Sequence, residues 1–134
     1  MTLILDFNHV NKLNWKEEFK FKDIRNACVY LSSDHYMLKF DLKSGYHEID
    51  ILQEHQTYLG FSQIVNSARK VFILTVLPFG LSSAPIIFTK VVCPLVRYCR
   101  SHAVRITVYL DDGLGSAHDF LCCEAASALW FSSQ

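Results

Sequence analysis

Apolar and polar positions along the chain change rhythm several times, and each rhythm predicts an element. Residues 3–7 (LILDF) form a short apolar run that suits a strand, and a polar turn is expected through residues 8–14. Residues 15–21 mix aromatics with Lys and Glu and fit neither period. Asp23 can cap a helix over residues 24–31, where Ile24, Ala27, Cys28 and Leu31 recur at helical spacing until Ser32-Ser33-Asp34 stops it. Residues 36–42 read as a buried strand that delivers Asp41 near its end, and Ser44-Gly45 breaks it. Residues 47–52 alternate like another strand, and 57–61 and the β-branched run 71–77 are further strand candidates, with Asn66-Ser67 as a turn between them. Ser82-Ser83-Ala84-Pro85 opens a helix with a Ser cap and Pro in the first turn. Phe88, Val92, Leu95 and Cys99 then hold one face at i, i+4, i+7 and i+11, with Pro94 a candidate kink. Residues 104–110 form a β-branched strand, Asp111-Asp112-Gly113 a hairpin turn, 114–117 the return strand and 122–131 a final helix. Helices mixed with mostly antiparallel strands make the fold class α+β.

Composition adds a boundary. At 134 residues, 51% hydrophobic and 13% aromatic, with five Gly and three Pro, the chain is one packed domain rather than a disordered segment. Its formal net charge is zero, so charge alone does not announce a nucleic-acid partner, whose binding grooves are usually basic. The five cysteines are odd in number and contain no CxxC pair, which predicts buried thiols of an intracellular protein rather than a disulfide or zinc framework. The six histidines show no metal-ligand spacing. No signal peptide is evident, and no apolar run approaches the roughly 18 residues of a membrane span, so a soluble, intracellular protein without membrane contact is expected.

Three carboxylates carry the chemistry. Asp41 ends one apolar strand, and Asp111-Asp112 follow another in VYLDDG. Successive strand residues face opposite ways, so adjacent aspartates can serve one site only at a turn. If the two strands are neighbours, the three carboxylates converge and repel one another until a divalent cation binds. Two such ions roughly 3.5–4 Å apart suit phosphoryl chemistry. The plainer alternative is that Asp41 merely ends a strand and Asp111-Asp112 merely favour a turn.

Four segments resemble reverse transcriptases, in the order that family has them. They are LDF with HVN (residues 5–11), FDLKSGYHEI (40–49), LPFGLSSAP (77–85) and YLDD (109–112), together covering roughly residues 3–118. The wording looks most like DIRS-type retroelements, with gypsy-type elements next. The resemblance implies a polymerase palm, an antiparallel sheet packed on helices, with partial fingers. It divides the chain into fingers over 1–35 and palm over 36–121, in a shortened domain without a thumb. The implied activity is RNA-directed DNA polymerisation on an RNA or DNA template with a primer, consuming dNTPs. A non-catalytic remnant that binds nucleic acid or a partner is the alternative.

By the same resemblance Asp41 and Asp111 would bind both Mg²⁺ ions (or Mn²⁺), the Leu42 carbonyl would complete one coordination sphere, and Asp112 would support the site. Ser44 and Gly45 would approach the triphosphate through backbone amides. Tyr46 would be the steric gate against a 2′-hydroxyl, although a core tyrosine is the plainer reading. Phe79 would contact the incoming nucleotide, and Gly80 would admit the substrate or simply serve a turn. Lys90, Arg97, Arg100 and Arg105 could touch phosphate, but a solvated helix face explains them as well. By the resemblance an arginine would be expected where Thr2 stands, and a primer grip would be expected beyond residue 134. Weak or undetectable activity is therefore expected of the chain alone.

Overall fold

The computed structural model describes residues 5–14, 18–19, 25, 28–29, 33–42 and 44–132, with the side chains of 129–132 excepted. Most of the helix expected over 24–31, most of 15–21, and residues Thr2 and Lys43 lie outside that set; of the helix, Arg25 and Cys28 are helical and Val29 is in a turn. Two compact units form, each from two stretches of chain: Met1–Glu17 with Ser44–Pro85, and Glu18–Lys43 with Ile86–Gln134.

The second unit is built on a three-stranded antiparallel sheet of β1 (Tyr36–Asp41), β4 (Arg105–Tyr109) and β5 (Asp112–Ala117), in the order β1-β5-β4. The central strand, DGLGSA, has little bulk, and that is why it can lie in the middle. On one face Gly113 pairs with Phe40 and Val108, and Gly115 with Leu38 and Ile106. The larger side chains of the outer strands fill the space above the two glycines. A Cβ at Gly113 would run into the Phe40 ring, and one at Gly115 would come within 2.9 Å of Leu38 Cδ2.

Helix α3 (Ala84–Ser101) covers that face. Phe40, Ile106, Val96 and Cys99 form its buried centre, with Leu38, Leu42, Val92, Leu95, Val104 and Val108 packed around it. The apolar face read at helical spacing is therefore the one that packs, and the helix continues through Pro94. It ends in a Schellman arrangement: Ala103 takes a left-handed φ of 61°, and Val104 N–H returns to the Cys99 carbonyl at 3.1 Å. Helix α4 (Phe120–Ser132) packs against β5 and β1. Asp119 caps it by accepting the Cys122 N–H at 2.8 Å, which starts the helix two residues earlier than periodicity indicated.

The first unit contains α1 (Asn8–Leu13), a 3₁₀ turn (Gly45–Glu48), α2 (Gln53–Gln56), a second 3₁₀ turn (Thr57–Leu59) and a hairpin of β2 (Gly60–Val65) and β3 (Ala68–Ile73). Asn66 and Ser67 make its two-residue turn with φ of 52° and 62°, the type I′ pattern. Phe7, Tyr46, Leu59, Leu77 and Leu81 are buried here.

The α+β class and most elements match expectation, and several boundaries need correction. Residues 8–13 are helical rather than a polar turn, because Asp6 Oδ1 accepts the Asn8 N–H at 2.9 Å and starts the turn. Residues 5–7 are irregular rather than a strand. The strand expected over 47–52 does not form: His47 and Glu48 end the 3₁₀ turn, and beyond them only an isolated Asp50–Val76 bridge forms, flanked by Ile51→Thr75 and Leu77→Ile49 hydrogen bonds. Residues 57–59 belong to a 3₁₀ turn, and β3 begins at Ala68 and ends at Ile73. Strand β1 is buried only at Phe40. Of the five free thiols only Cys99 and Cys123 are buried, while Cys28 and Cys122 are exposed.

Candidate active site

Strand β5 brings the carboxylates of the second unit together. Asp112, its first residue, stands opposite Asp41 of β1 and opposite Tyr109 of β4. The register continues one step further, where Leu42 N–H donates to the Asp111 carbonyl at 2.8 Å. That makes 42/111 the hydrogen-bonded pair and 41/112 the non-hydrogen-bonded one, in which Cα atoms approach to about 4.5 Å and side chains crowd. Asp41 and Asp112 thus share the face opposite Phe40 and Gly113.

Like charges directly across a ladder destabilise it. Lys39, two residues before Asp41 and so on the same face, answers this with Nζ 3.5 Å from Asp112 Oδ1. With side chains 75% and 60% exposed, this ion pair is worth well under about 1 kcal/mol. It leaves the pair of carboxylates short of positive charge.

The hairpin turn consists of Leu110 and Asp111, one residue earlier than the sequence indicated. Leu110 holds a φ of 54°, a conformation that costs a leucine roughly 1–2 kcal/mol. Gly113 is thus a strand residue kept small by the Phe40 ring, not a turn glycine. Asp111, half-buried, is the turn residue just before Asp112 and accepts the Leu42 N–H at its carbonyl.

Among the described residues no three His, Cys, Asp or Glu side chains are gathered as a metal cage. The donor set nevertheless fits a hard cation. It is all oxygen and acidic, and Mg²⁺ usually takes only one or two protein carboxylates, completing its octahedron with water and substrate phosphates. Asp41 and Asp112 could hold such an ion, with Asp111 and the Leu42 carbonyl adjoining.

The other candidate residues lie in the first unit. Ser44 adopts a left-handed φ of 59°, and its carbonyl accepts the His47 N–H at 2.7 Å to close the 3₁₀ turn that carries Gly45 and Tyr46. Tyr46 is 5% exposed, and its ring centroid is 4.7 Å from that of Phe79. The His47 ring meets Phe79 edge-on at 5.2 Å. Phe79 remains 52% exposed, so an aromatic surface packed from below faces solvent. Gly80 takes φ 92°, which is what calls for glycine, and a Cβ there would sit 3.3 Å from Phe7 Cδ2, a tight contact.

Arg100 does not face solvent as a phosphate ligand would. It donates from Nε (3.0 Å) and Nη2 (2.7 Å) to the Ile106 carbonyl and ties α3 to β4. Lys90, Arg97 and Arg105 are exposed. Sequence reasoning overlooked Lys39, His47, Asn11 and Asn14. Asn11 was signalled by its place in the HVN motif, and Asn14 only by its spacing of three from Asn11, legible once residues 8–13 are known to be helical.

Comparison with known proteins identifies the family. The family model described as reverse transcriptase (RNA-dependent DNA polymerase) matches residues 2–119. Among curated relatives, the chain is 27% identical over 88% of its length to the retrovirus-related Pol polyprotein from transposon opus of Drosophila melanogaster, covering 11% of that protein. It is 30% identical over 82% of its length to the corresponding polyprotein from transposon gypsy of the same fly, covering 10%. The genome polyprotein of Petunia vein clearing virus is 27% identical over 84% of the chain, with 5% of that polyprotein covered. The chain thus spans about a tenth or less of the length of these relatives. The match runs through all four motifs and most of the residues, and on that ground the chain belongs to the reverse transcriptase (RNA-dependent DNA polymerase) family.

Proposed function

We propose that this chain is the core of an RNA-directed DNA polymerase that adds dNTP-derived nucleotides to a primer 3′-end on an RNA or DNA template. The observation that carries the reading is the register of the sheet, with Asp41 opposite Asp112 and Asp111 joined to Leu42. The primer 3′-oxygen attacks the α-phosphorus, the bond to the β-phosphate oxygen breaks, pyrophosphate leaves and the 3′-hydroxyl proton passes to solvent. Mg²⁺, or Mn²⁺ in its place, would when bound favour the 3′-alkoxide and neutralise charge on the leaving pyrophosphate.

The chain's own residues then have distinct tasks. Asp41, Asp111 and Asp112, with the Leu42 carbonyl, would hold the metals when bound. Ser44 and Gly45 present backbone amides to the triphosphate. The Tyr46 ring stands beneath the sugar, and Phe79 and Gly80 receive the incoming nucleotide.

Primer extension by the purified chain, with Mg²⁺, an RNA template and a DNA primer, tests the reading. Incorporation that disappears in Asp111→Asn/Asp112→Asn is the expected outcome. Template–primer binding without incorporation, unchanged in that variant, would replace catalysis by a binding role.

A further inference from the structure

Helix α1 grips the loop that carries Phe79 and Gly80. Asn11 uses both ends of its carboxamide: Nδ2 donates to the Gly80 carbonyl at 2.9 Å, and Oδ1 accepts the Ser82 N–H at 2.8 Å. The two partners dictate the amide's orientation, since only a donor can face the carbonyl and only an acceptor the N–H. One turn on, Asn14 Nδ2 donates to Ser83 Oγ at 2.9 Å and reaches Ser82 Oγ at 3.4 Å. Phe7 packs against Gly80, its Cδ2 3.3 Å from where a Cβ would lie. The loop is thus bracketed on both sides of Leu81, directly after the Phe79 ring that packs on Tyr46.

We infer that Asn11 is a positioning residue for the nucleotide platform: by fixing Gly80 it holds Phe79 against Tyr46, and so sets the discrimination between deoxyribonucleotides and ribonucleotides. This rests on the polymerase reading above. Asn11 touches no substrate. Its effect travels from its carboxamide to the Gly80 carbonyl, to the adjoining Phe79, and to the ring it contacts. A gate works only if its ring cannot yield, because an extra hydroxyl is rejected by about as much as the displaced ring costs.

Asn11→Asp tests this with little change of shape. It keeps an acceptor for Ser82 but sets a carboxylate oxygen against the Gly80 carbonyl, and Asn11→Leu removes both bonds. Two readouts on the full chain are needed. Hydrogen–deuterium exchange across residues 77–84 reports the clamp without any nucleotide. Equilibrium binding of dGTP against GTP, opposite cytosine on a dideoxy-terminated template–primer with Mg²⁺, reports the sugar preference. Both variants should exchange faster in 77–84 and lose roughly tenfold of the preference for dGTP, as the loss of one or two hydrogen bonds implies. A purely structural role would weaken both nucleotides equally, and an unchanged ratio in variants that still melt cooperatively overturns the inference. Unchanged exchange in 77–84 overturns it too. A wild-type chain that binds neither nucleotide overturns the polymerase reading and this inference with it, and the exchange data then separate that failure from the failure of the clamp.

Discussion

Replacing Gly113 by alanine adds one methyl group at the centre of the sheet, and its effect can be worked from the structure. In an ordinary strand the change is favourable by roughly 0.5–1 kcal/mol, because glycine loses more conformational freedom on folding. Here the new Cβ would lie within the Phe40 ring. Strand β5 cannot step aside, since β1 and β4 are hydrogen-bonded to both its edges. Phe40 cannot easily yield either, being 5% exposed and packed on Val96, Cys99 and Ile106. Overpacking costs typically about 1–3 kcal/mol, and full expulsion of a buried phenylalanine about 3–5 kcal/mol. The net loss expected for Gly113→Ala is therefore on the order of 2–4 kcal/mol. Urea denaturation followed by circular dichroism should show a lower midpoint with an unchanged slope. Phe40→Leu, made in the same background, should recover part of the loss, so that the two changes are not additive. A Gly113→Ala chain as stable as the parent would refute the claim that the glycine is there to make room for the ring.

Removing Arg100 with Arg100→Ala takes two charge-assisted hydrogen bonds from the Ile106 carbonyl and should cost about 1.5–3 kcal/mol in the same denaturation assay. Ser67→Gly relieves a left-handed φ of 62° in the β2–β3 turn and should stabilise the chain by about 1 kcal/mol, read as a raised melting temperature. The backbone N–H of Cys122, together with its thiol, holds the Asp119 carboxyl below the ordinary carboxylate range, and the carboxylate in turn raises the Cys122 thiol. A depressed acid stabilises the fold above its unfolded pKa and loses that contribution as pH falls through the folded value. Asp119→Asn should therefore flatten the acid limb of the stability–pH profile and speed alkylation of Cys122 by iodoacetamide near pH 8. A steeper acid limb, or an unchanged alkylation rate, would contradict the assignment.

Short-range chemistry made much of this chain legible before any coordinates. The apolar face of residues 88–99, the strand ending in Asp41, the β-branched run before Asp111 and the Asn66-Ser67 turn each follow from a period or a backbone preference, and each is present. The candidate residues were legible as motifs, because their spelling survives whatever the chain does in space. What failed was wherever a distant partner decided the outcome. Residues 47–52 alternate like a strand, yet the first two end the 3₁₀ turn that carries Tyr46 and only Asp50 forms a bridge. Gly113 reads as a turn glycine until Phe40, 73 positions earlier and its cross-strand partner, is seen to need the space. No local signal says that β5 lies between β1 and β4, and therefore that Asp112 rather than Asp111 stands opposite Asp41. Sequence determined which side chains are available and roughly which elements carry them. Only the long-range pairing of strands, chosen by how Phe40, Leu38 and Ile106 pack over two glycines, decided which of those side chains meet.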